Sequence, residues 1–406
     1  MQKLQLVEHQ ELAVDLTVTQ RDQLKTALER AVIQPVPGSE TAYLVNPKNY
    51  VGVVRAGDLT VEITPKLEIS RVLFLVAYAL SPRYWRDHVV QFDDAPTLHE
   101  AIARPFADFS ERAIRRGPLH GYRTIDESLP GVKGRIRFGD QIRRRQRITT
   151  PLEVSYDEFT ADIEENRLIL AAAVRLLKMR FLSKPTNQVL RHVEGRLRDV
   201  SSIRYDRRKV PNPAITRLNR HYERPLGLAR LVLGDETIEL SGEAITSSGI
   251  LFDMANVFET FVHVALREAL KLSVREFPKN AKNRDLCLDD QGRVRLRPDL
   301  SWWERDHCLM VGDVKYKKTV DGEGKEPDLY QMLAYTTAAK VDTGFLIYAA
   351  GEAEPAEHVV PSANKRLVVT VLDLSARPEA ILAEIQELAA RIVAASTGSL
   401  VLIGAR

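Results

Sequence analysis

Cysteine is scarce in this chain of 406 residues. The two cysteines, Cys287 and Cys308, are not spaced as a CxxC pair, and each has apolar neighbours. The spacing therefore gives no zinc finger. We predict two small buried thiols, which are typical of a protein in a reducing compartment.

Long hydrophobic runs are also missing. No apolar run approaches the roughly 18 residues that a transmembrane helix needs. The opening residues, MQKLQLVEHQELAVDL, carry acidic side chains where a signal peptide has its apolar core. We therefore expect a soluble, cytoplasmic protein.

Several motifs of nucleotide and nucleic-acid binding are absent from the sequence. There is no GxxxxGK[ST] loop, since GEGKEP at 322–327 has the wrong spacing and places Pro327 where that loop would open a helix. The nine histidines show no metal-ligand spacing, and no helix-turn-helix pattern is evident. The chain is thus not expected to hydrolyse nucleotides or to read bases by itself.

The composition that remains is that of a globular protein, with 44% hydrophobic and 28% charged residues. The net charge of +3 is small beside 58 basic and 55 acidic side chains, so it says little about a polyanionic partner. The length favours two or three domains. We predict a multidomain α+β protein with a β-rich N-terminal domain (1–105), a helical and basic middle region (106–235) and a C-terminal α/β domain (236–406).

Two acidic residues and a lysine stand out on predicted strands of the C-terminal domain. Asp299 follows a proline in RVRLRPDLSWW, and Asp313 and Lys315 lie fourteen and sixteen residues later in CLMVGDVKY. Side chains alternate along a strand, so Asp313 and Lys315 share one face. If the two strands pair, Asp299 converges on them. Two carboxylates and the Val314 carbonyl are hard oxygen ligands that suit Mg²⁺, with Mn²⁺ as a substitute, and Lys315 can then orient an attacking water.

The flanking predicted helices add three candidates. Glu259, in the preceding helix, either reaches the metal or its water, or is an outward glutamate on a plain amphipathic helix. Gln331 and Tyr335, in the following helix, are spaced i and i+4 and so project from one face. They either steady Lys315 or contact DNA phosphate, and Tyr335 can also simply pack.

The order of these residues, E … PD … DxK … QxxxY on helix, strand, strand and helix, resembles the PD-(D/E)xK nuclease superfamily. Further segments, YVGVVRAGDLTVEITPKL, GVKGRI and FTADIEENRLIL, together with this motif, resemble McrC. McrC is the nuclease subunit of McrBC-type modification-dependent (5-methylcytosine) restriction systems. The resemblance extends from about residue 45 to about residue 350.

This resemblance implies a restriction-endonuclease-like fold for the C-terminal domain and metal-dependent cleavage of double-stranded DNA. It also implies a partner, McrB, which is a hexameric AAA+ GTPase that recognises DNA bearing methylated cytosine. McrC proteins insert an N-terminal stalk into that ring and stimulate GTP hydrolysis. Neither a membrane nor a small-molecule substrate is expected.

An arginine-rich stretch in the middle region has three open interpretations. It contacts DNA phosphate, reaches the ring partner, or forms a solvated basic surface. Its members are Arg135, Arg137, Arg143, Arg144, Arg145 and Arg147.

Two other functions remain open from the sequence. The chain can act mainly as an activator and scaffold of a ring NTPase, with a weak or inactive nuclease. It can also be a solitary repair or phage-defence nuclease that needs no ring partner.

Overall fold

The computed structural model describes most of the chain, and the described residues fall into two compact units. The described ranges are 2–80, 98–145, 150–179, 182–206, 210–233, 250–281, 284, 286–317, 325–349 and 356–403. The first unit joins Met1–Leu98 to Thr237–Arg406, and the second is His99–Glu236. The sequence predicts three regions, whereas here the first and the third share one unit.

The N-terminal part of the first unit contains two small sheets. Its elements are β1 (Gln2–Val7), β2 (Leu12–Asp15), α1 (Val18–Ala27), β3 (Val32–Pro35), β4 (Ala42–Asn46), β5 (Tyr50–Ala56), β6 (Leu59–Thr64), α2 (Ile69–Leu80) and β10 (Ile250–Asp253). One sheet has the order β1-β6-β5-β10 and the other has the order β2-β4-β3. Strand β10 is antiparallel to β5, which joins the distant part of the sequence to this sheet.

The alternation in LTVEIT predicts a strand with Leu59, Val61 and Ile63 on its core face and Thr60 on its outer face, and burial along β6 follows this prediction on the core face. Leu59, Val61 and Ile63 are buried. Thr60 is buried as well, although the sequence predicts an outward side chain for it. The apolar helix α2 is buried as predicted, and its Phe74 ring lies 5.3 Å from the ring of Phe261.

The C-terminal part of the first unit is a five-stranded mixed sheet with helices. Its elements are α8 (Met254–Ala269), β11 (Leu300–Glu304), β12 (His307–Lys315), α9 (Glu326–Ala339), β13 (Thr343–Ala349), β14 (Ala356–Val360), β15 (Lys365–Leu372) and α10 (Pro378–Ile403). The order is β11-β12-β13-β15-β14, in which β12, β13 and β15 run parallel. Helix α9 connects β12 to β13 and packs against both, as in a βαβ unit. Apart from β14, which the sequence does not predict, these strands and helices follow the order predicted from the sequence.

Helix α9 approaches the sheet closely because β13 contains a glycine. A Cβ atom added at Gly344 would lie 2.6 Å from Met332 Sδ and 2.6 Å from Thr336 Cγ2. Any larger residue would therefore force Met332 and Thr336, or the helix that carries them, to shift. The same helix carries Gln331 and Tyr335.

The second unit combines a three-stranded sheet, in the order β7-β9-β8, with helices. Its elements are α3 (Leu98–Ile114), β7 (Gly121–Leu129), β8 (Arg135–Ile136), α4 (Phe138–Arg145), β9 (Leu152–Thr160), α5 (Glu164–Leu177), α6 (Lys184–Arg196) and α7 (Glu223–Leu233).

Two residues of the second unit predict helix boundaries from the sequence: Pro105 is expected to kink or break its helix, and Thr160 is expected to be the N-cap of the helix that follows it. Pro105 does not break its helix, because α3 continues through it with the neighbouring Phe106 fully buried. Thr160 is not the N-cap of α5, because it ends β9 and its hydroxyl accepts a hydrogen bond from the Asp162 amide instead. In the first case packing outweighs the local cost of a proline.

The cysteines differ from expectation, and so does the segment LCLDDQGRVRLRPDLSWW, which predicts a β-hairpin that turns at Asp290-Gln291-Gly292. Cys287 and Cys308 are free thiols, but both are only partly buried. The hairpin is reduced to a single antiparallel bridge between Cys287 and Arg295. Among the described residues, no helix is long and apolar enough to cross a membrane.

Candidate active site

The two predicted strands that carry the acidic residues are paired. Strands β11 and β12 are antiparallel, with Leu300 opposite Gly312. Asp299, which immediately precedes Leu300, therefore lies beside Asp313. Asp299 Oδ2 accepts a hydrogen bond of 2.9 Å from the backbone amide of Val314. The pairing thus brings the two carboxylates together at the end of β12.

Lys315 is held at this position by neighbours on two elements. Its Nζ atom forms an ion pair with Asp313 Oδ2 and donates a hydrogen bond of 3.3 Å to Gln331 Oε1. Gln331 Nε2 in turn donates to the Tyr335 hydroxyl at 2.7 Å. Tyr335 OH donates to the backbone carbonyl of Arg297 at 3.3 Å, two residues before Asp299. The chain of hydrogen bonds connects α9 to both strands of the site.

Tyr335 therefore both packs and bonds, which combines two of the alternatives left open by the sequence. Its side chain is buried in the apolar cluster between α9 and the sheet. Burial, with the nearby Asp313 charge, raises the pKa of Tyr335 to about 12. The hydroxyl accordingly stays protonated and able to donate.

The electrostatics of Asp299 are those of a crowded anionic site. Burial raises its pKa well above the ordinary value, and the charges of Asp313 and Glu259 raise it further. Burial alone would lower the pKa of Lys315, but the charge of Asp313, its hydrogen bond and the charges of Asp299 and Asp328 together outweigh burial, and the net shift of the pKa is upward. More negative charge is gathered here than one lysine balances.

Glu259 faces the same site from α8. Its side chain is partly buried, and its Oε1 atom lies 3.8 Å from Lys279 Nζ. Burial raises the pKa of Glu259, Lys279 opposes the shift, and Asp313 adds to it. Of the two interpretations of Glu259, the structure therefore favours a carboxylate within reach of the site over an outward surface glutamate.

The residues fit a hard divalent cation. Asp313 is 2% exposed, and its Oδ2 atom accepts no hydrogen bond of normal geometry beyond the ion pair with Lys315. Glu259 Oε1 is likewise buried without a hydrogen bond. Within the described ranges, no three His, Cys, Asp or Glu side chains form a complete ligand group. A cation here would therefore complete its shell with backbone and water oxygens, as Mg²⁺ commonly does.

A family model now identifies the group of proteins. The model described as "McrBC 5-methylcytosine restriction system component" matches residues 45–349. The match covers well over half of the chain and includes Asp299, Asp313 and Lys315. The chain belongs to this McrBC family.

Solved structures give a related result for the fold. One chain is from a structure described as a refined half-complex from a tetradecameric assembly of Thermococcus gammatolerans McrB AAA+ hexamers with bound McrC. It aligns with a TM-score of 0.58 at 14% identity, over 95% of this chain and 98% of the other. A chain from the cryo-EM structure of the Thermococcus gammatolerans McrBC complex aligns at 18% identity and a TM-score of 0.41, over 66% and 88% of the two chains. No curated protein matches the sequence.

In this McrBC family member, the arginine-rich stretch does not behave as one surface. Arg137 pairs with Asp126 at 3.3 Å and also with Asp140, while Arg144 pairs with the buried Glu153 at 3.1 Å. Arg143, whose side chain is 81% exposed, makes a long contact of 3.9 Å with Asp140 Oδ1. Two of the arginines are thus committed to the fold of their own unit.

The remaining arginines are less informative. Arg135 is exposed at the edge strand β8. The backbone of Arg145 ends α4, and Arg147 lies outside the described residues. The choice between DNA, partner and solvent stays open for Arg135 and Arg143.

Sequence reasoning missed two features around the site. Lys279 Nζ lies 3.8 Å from Glu259 Oε1. The fully buried Glu8, just beyond β1, adds to the effect of burial in raising the pKa of Tyr316. Tyr316 directly follows Lys315, so its position in the chain is a signal that could have found it. Nothing local indicates Glu8 or Lys279, because both depend on long-range packing.

Proposed function

We propose that this chain is the Mg²⁺-dependent DNA endonuclease subunit of a McrBC-like restriction system, with a PD-(D/E)xK nuclease site in its C-terminal part. The convergence of Asp299, Asp313 and Lys315 at the end of β12 carries the proposal. Membership of the McrBC family supports it. Mn²⁺ is expected to substitute for Mg²⁺.

The two carboxylates and the Val314 carbonyl would hold the cation, which supplies Lewis-acid activation of the scissile phosphate and of water. Lys315 is placed to orient the attacking water and to stabilise the negative charge that develops on the phosphate. Gln331 keeps the lysine directed to that position, and Tyr335 keeps Gln331 in place. Glu259 assists from α8.

The partner in this proposal is a hexameric AAA+ protein, because the structural neighbour is described as McrC bound to McrB AAA+ hexamers. The resemblance to McrC implies that this partner is a GTPase that recognises methylated cytosine. This chain would stimulate GTP hydrolysis and cut the DNA that the partner recognises. Localisation in the cytoplasm, where such DNA is met, belongs to the same proposal.

Replacing Asp313 with Ala tests the assignment. Cleavage of methylated plasmid by the complex should fall by at least about a thousandfold, because a principal ligand is removed. Folding and stimulation of GTP hydrolysis should stay near wild type. The measurement is Mg²⁺-dependent cleavage and GTP turnover with the purified partner.

The same variant separates the alternatives. If Asp313→Ala cuts at the normal rate, the site is wrongly assigned. If the wild-type chain stimulates GTP hydrolysis but does not cut, it is an activator and scaffold. If the chain cuts efficiently without an AAA+ partner, it is a solitary nuclease.

A further inference from the structure

The chain between α8 and β11 brings a second lysine to the acidic site. Two backbone hydrogen bonds fasten this stretch to β11 and its entry. The Trp303 amide donates to the Glu276 carbonyl at 2.7 Å. The Asn280 amide donates to the Asp299 carbonyl at 3.3 Å. Lys279 directly precedes Asn280, so its backbone is held beside the residue that enters β11 as an acid of the site.

The ammonium group of Lys279 is held by neutral acceptors on α8. Its Nζ atom donates to Thr260 Oγ1 at 2.8 Å and to Asn256 Oδ1 at 3.4 Å. The Thr260 hydroxyl gives its own proton to the Asn256 carbonyl at 2.7 Å, so the Thr260 oxygen is left to accept from the lysine. An ammonium group has three N–H donors, and these two contacts use two of them.

The positive charge of Lys279 is only weakly offset by a carboxylate. Glu259 Oε1 lies 3.8 Å from Nζ, which is too long for a hydrogen bond, and the lysine side chain is 34% exposed. Lys317 has a similar exposure of 35% but the opposite arrangement, because its Nζ atom contacts both oxygens of the buried Asp328, at 2.6 and 3.0 Å. Lys279 therefore keeps a positive charge and a spare donor at a partly exposed position beside the acids.

We propose that Lys279 binds a phosphate of the DNA backbone next to the one that is cleaved, through the ammonium donor that α8 does not use. This inference rests on the proposed function. The acids Asp313 and Glu259 repel a polyanion, so positive groups beside them favour the approach of DNA. Lys315 is in direct contact with Asp313 and is assigned to the attacking water. Lys279 supplies positive charge on the side of Glu259, where a phosphate contact would fix the register of the strand.

Lys279→Met tests the contact, because methionine keeps an apolar stem and removes the charge. The readout is binding of the full-length chain to a duplex oligonucleotide in EDTA, measured by fluorescence anisotropy over a series of salt concentrations. Each phosphate contact contributes about 0.9 to the slope of log K against log salt concentration. We expect the slope of the variant to be lower by about this amount, with weaker binding at low salt.

Two further results bear on the same measurement. Lys279→Arg should keep the slope of the wild type, since arginine also binds phosphate. An unchanged slope in Lys279→Met would overturn the proposal.

Lys317→Met is the matched control, because it makes the same change at a lysine of similar exposure whose charge Asp328 already offsets. It should leave the salt slope unchanged and lower the free energy of unfolding instead, since the buried Asp328 loses its partner. An equal loss of slope in both variants would reject the proposal, because any lysine close to the site would then have the same effect.

Thr260→Val shows whether the position of the ammonium group matters. Valine has a similar shape but cannot accept the hydrogen bond from Lys279. The change should weaken DNA binding by the wild type and have little further effect in Lys279→Met, because the group being positioned is already lost. Full additivity of the two changes would contradict the role given to Lys279.

Cleavage by the complex separates this inference from the nuclease assignment. Lys279→Met should raise the KM for DNA and leave kcat nearly unchanged, because the phosphate it contacts is not the one that reacts. If Asp313→Ala abolishes cleavage while Lys279→Met binds DNA as the wild type does, only this inference fails. If Lys279→Met lowers the slope while Asp313→Ala cuts normally, the nuclease site is wrongly assigned and the DNA contact of Lys279 remains.

Discussion

The two units of this protein use buried aspartate in opposite ways. In the second unit, Asp162 accepts hydrogen bonds from Arg167 at 2.7 and 2.8 Å and from the amide and hydroxyl of Ser201 at 2.9 and 2.8 Å, and it also pairs with Arg123. Hydrogen bonds from Arg167 hold its pKa far below the usual range. In the first unit, Asp299 has the Val314 amide as its hydrogen-bond donor, and its pKa is raised.

This difference distinguishes a carboxylate that stabilises the fold from a carboxylate of the candidate active site. A carboxylate surrounded by donors keeps its charge and ties elements together. A carboxylate that is crowded by other acids has its charged form disfavoured, which is typical of residues at functional sites. Asn166, in the same EEN segment that contributes to the family resemblance, follows the scaffold pattern. Its side-chain Nδ2 atom donates hydrogen bonds to the carbonyls of Leu119 and Ala161, both at 2.7 Å. Its Oδ1 atom accepts a hydrogen bond from the Tyr222 hydroxyl at 2.9 Å.

The largest expected contrast is in stability. Asp162→Ala leaves Arg167 without its partner in a buried network, so we expect the free energy of unfolding to fall by about 3 kcal/mol or more. Asp313→Ala removes the ion pair with Lys315 but also relieves the like-charge crowding with Asp299, so it should cost less stability than Asp162→Ala. Chemical denaturation of the two variants measures both values, and a larger loss for Asp313→Ala would reverse the comparison.

The contrast also predicts opposite responses to pH in the absence of divalent ions. Asp162 has a lowered pKa when folded, so its stabilising contribution is present above its unfolded pKa of about 4 and is lost as the pH falls below that value. Asp299 has a raised pKa when folded, so ionising it destabilises the fold as the pH rises above about 4.

The sign of this pH dependence is tested by the unfolding free energies of wild type and Asp299→Asn, measured in EDTA between about pH 4 and neutral pH. The variant should lose less stability toward neutral pH than the wild type does. Identical pH profiles for the two proteins would contradict the raised pKa of Asp299.

The smallest expected effects concern the arginine-rich stretch. Arg143→Ala should change the free energy of unfolding by less than about 0.5 kcal/mol, because its side chain is exposed. Arg144→Ala should cost more, since it leaves the buried Glu153 without that ion pair.

The salt dependence of DNA binding then distinguishes the three interpretations of Arg143. If the DNA-binding constant of Arg143→Ala falls less steeply with salt concentration than that of the wild type, Arg143 contacts a phosphate. An unchanged slope with weaker stimulation of GTP hydrolysis indicates contact with the partner. If neither measurement changes, Arg143 belongs to a solvated surface.

Short-range patterns predicted much of the site. Alternation along CLMVGDVKY placed Asp313 and Lys315 on one face, and the i, i+4 spacing placed Gln331 next to Tyr335. The structure has both arrangements. Predictions based on single residues fared less well, as Pro105 and Thr160 show, because packing in α3 and the length of β9 outweighed local preference.

The sequence by itself determined the strands, helices and acid–acid–lysine motif of the C-terminal part, because these depend on neighbours a few residues apart. Only the tertiary structure decided that β10 joins the N-terminal sheet and that Lys279 lies beside Glu259. It also decided that hydrogen bonds stabilise the charged form of Asp162, while burial and neighbouring acids disfavour the charged form of Asp299. The reason is physical. The charge state of a buried acid depends on which donors and charges surround it, and those come from segments far apart in the chain.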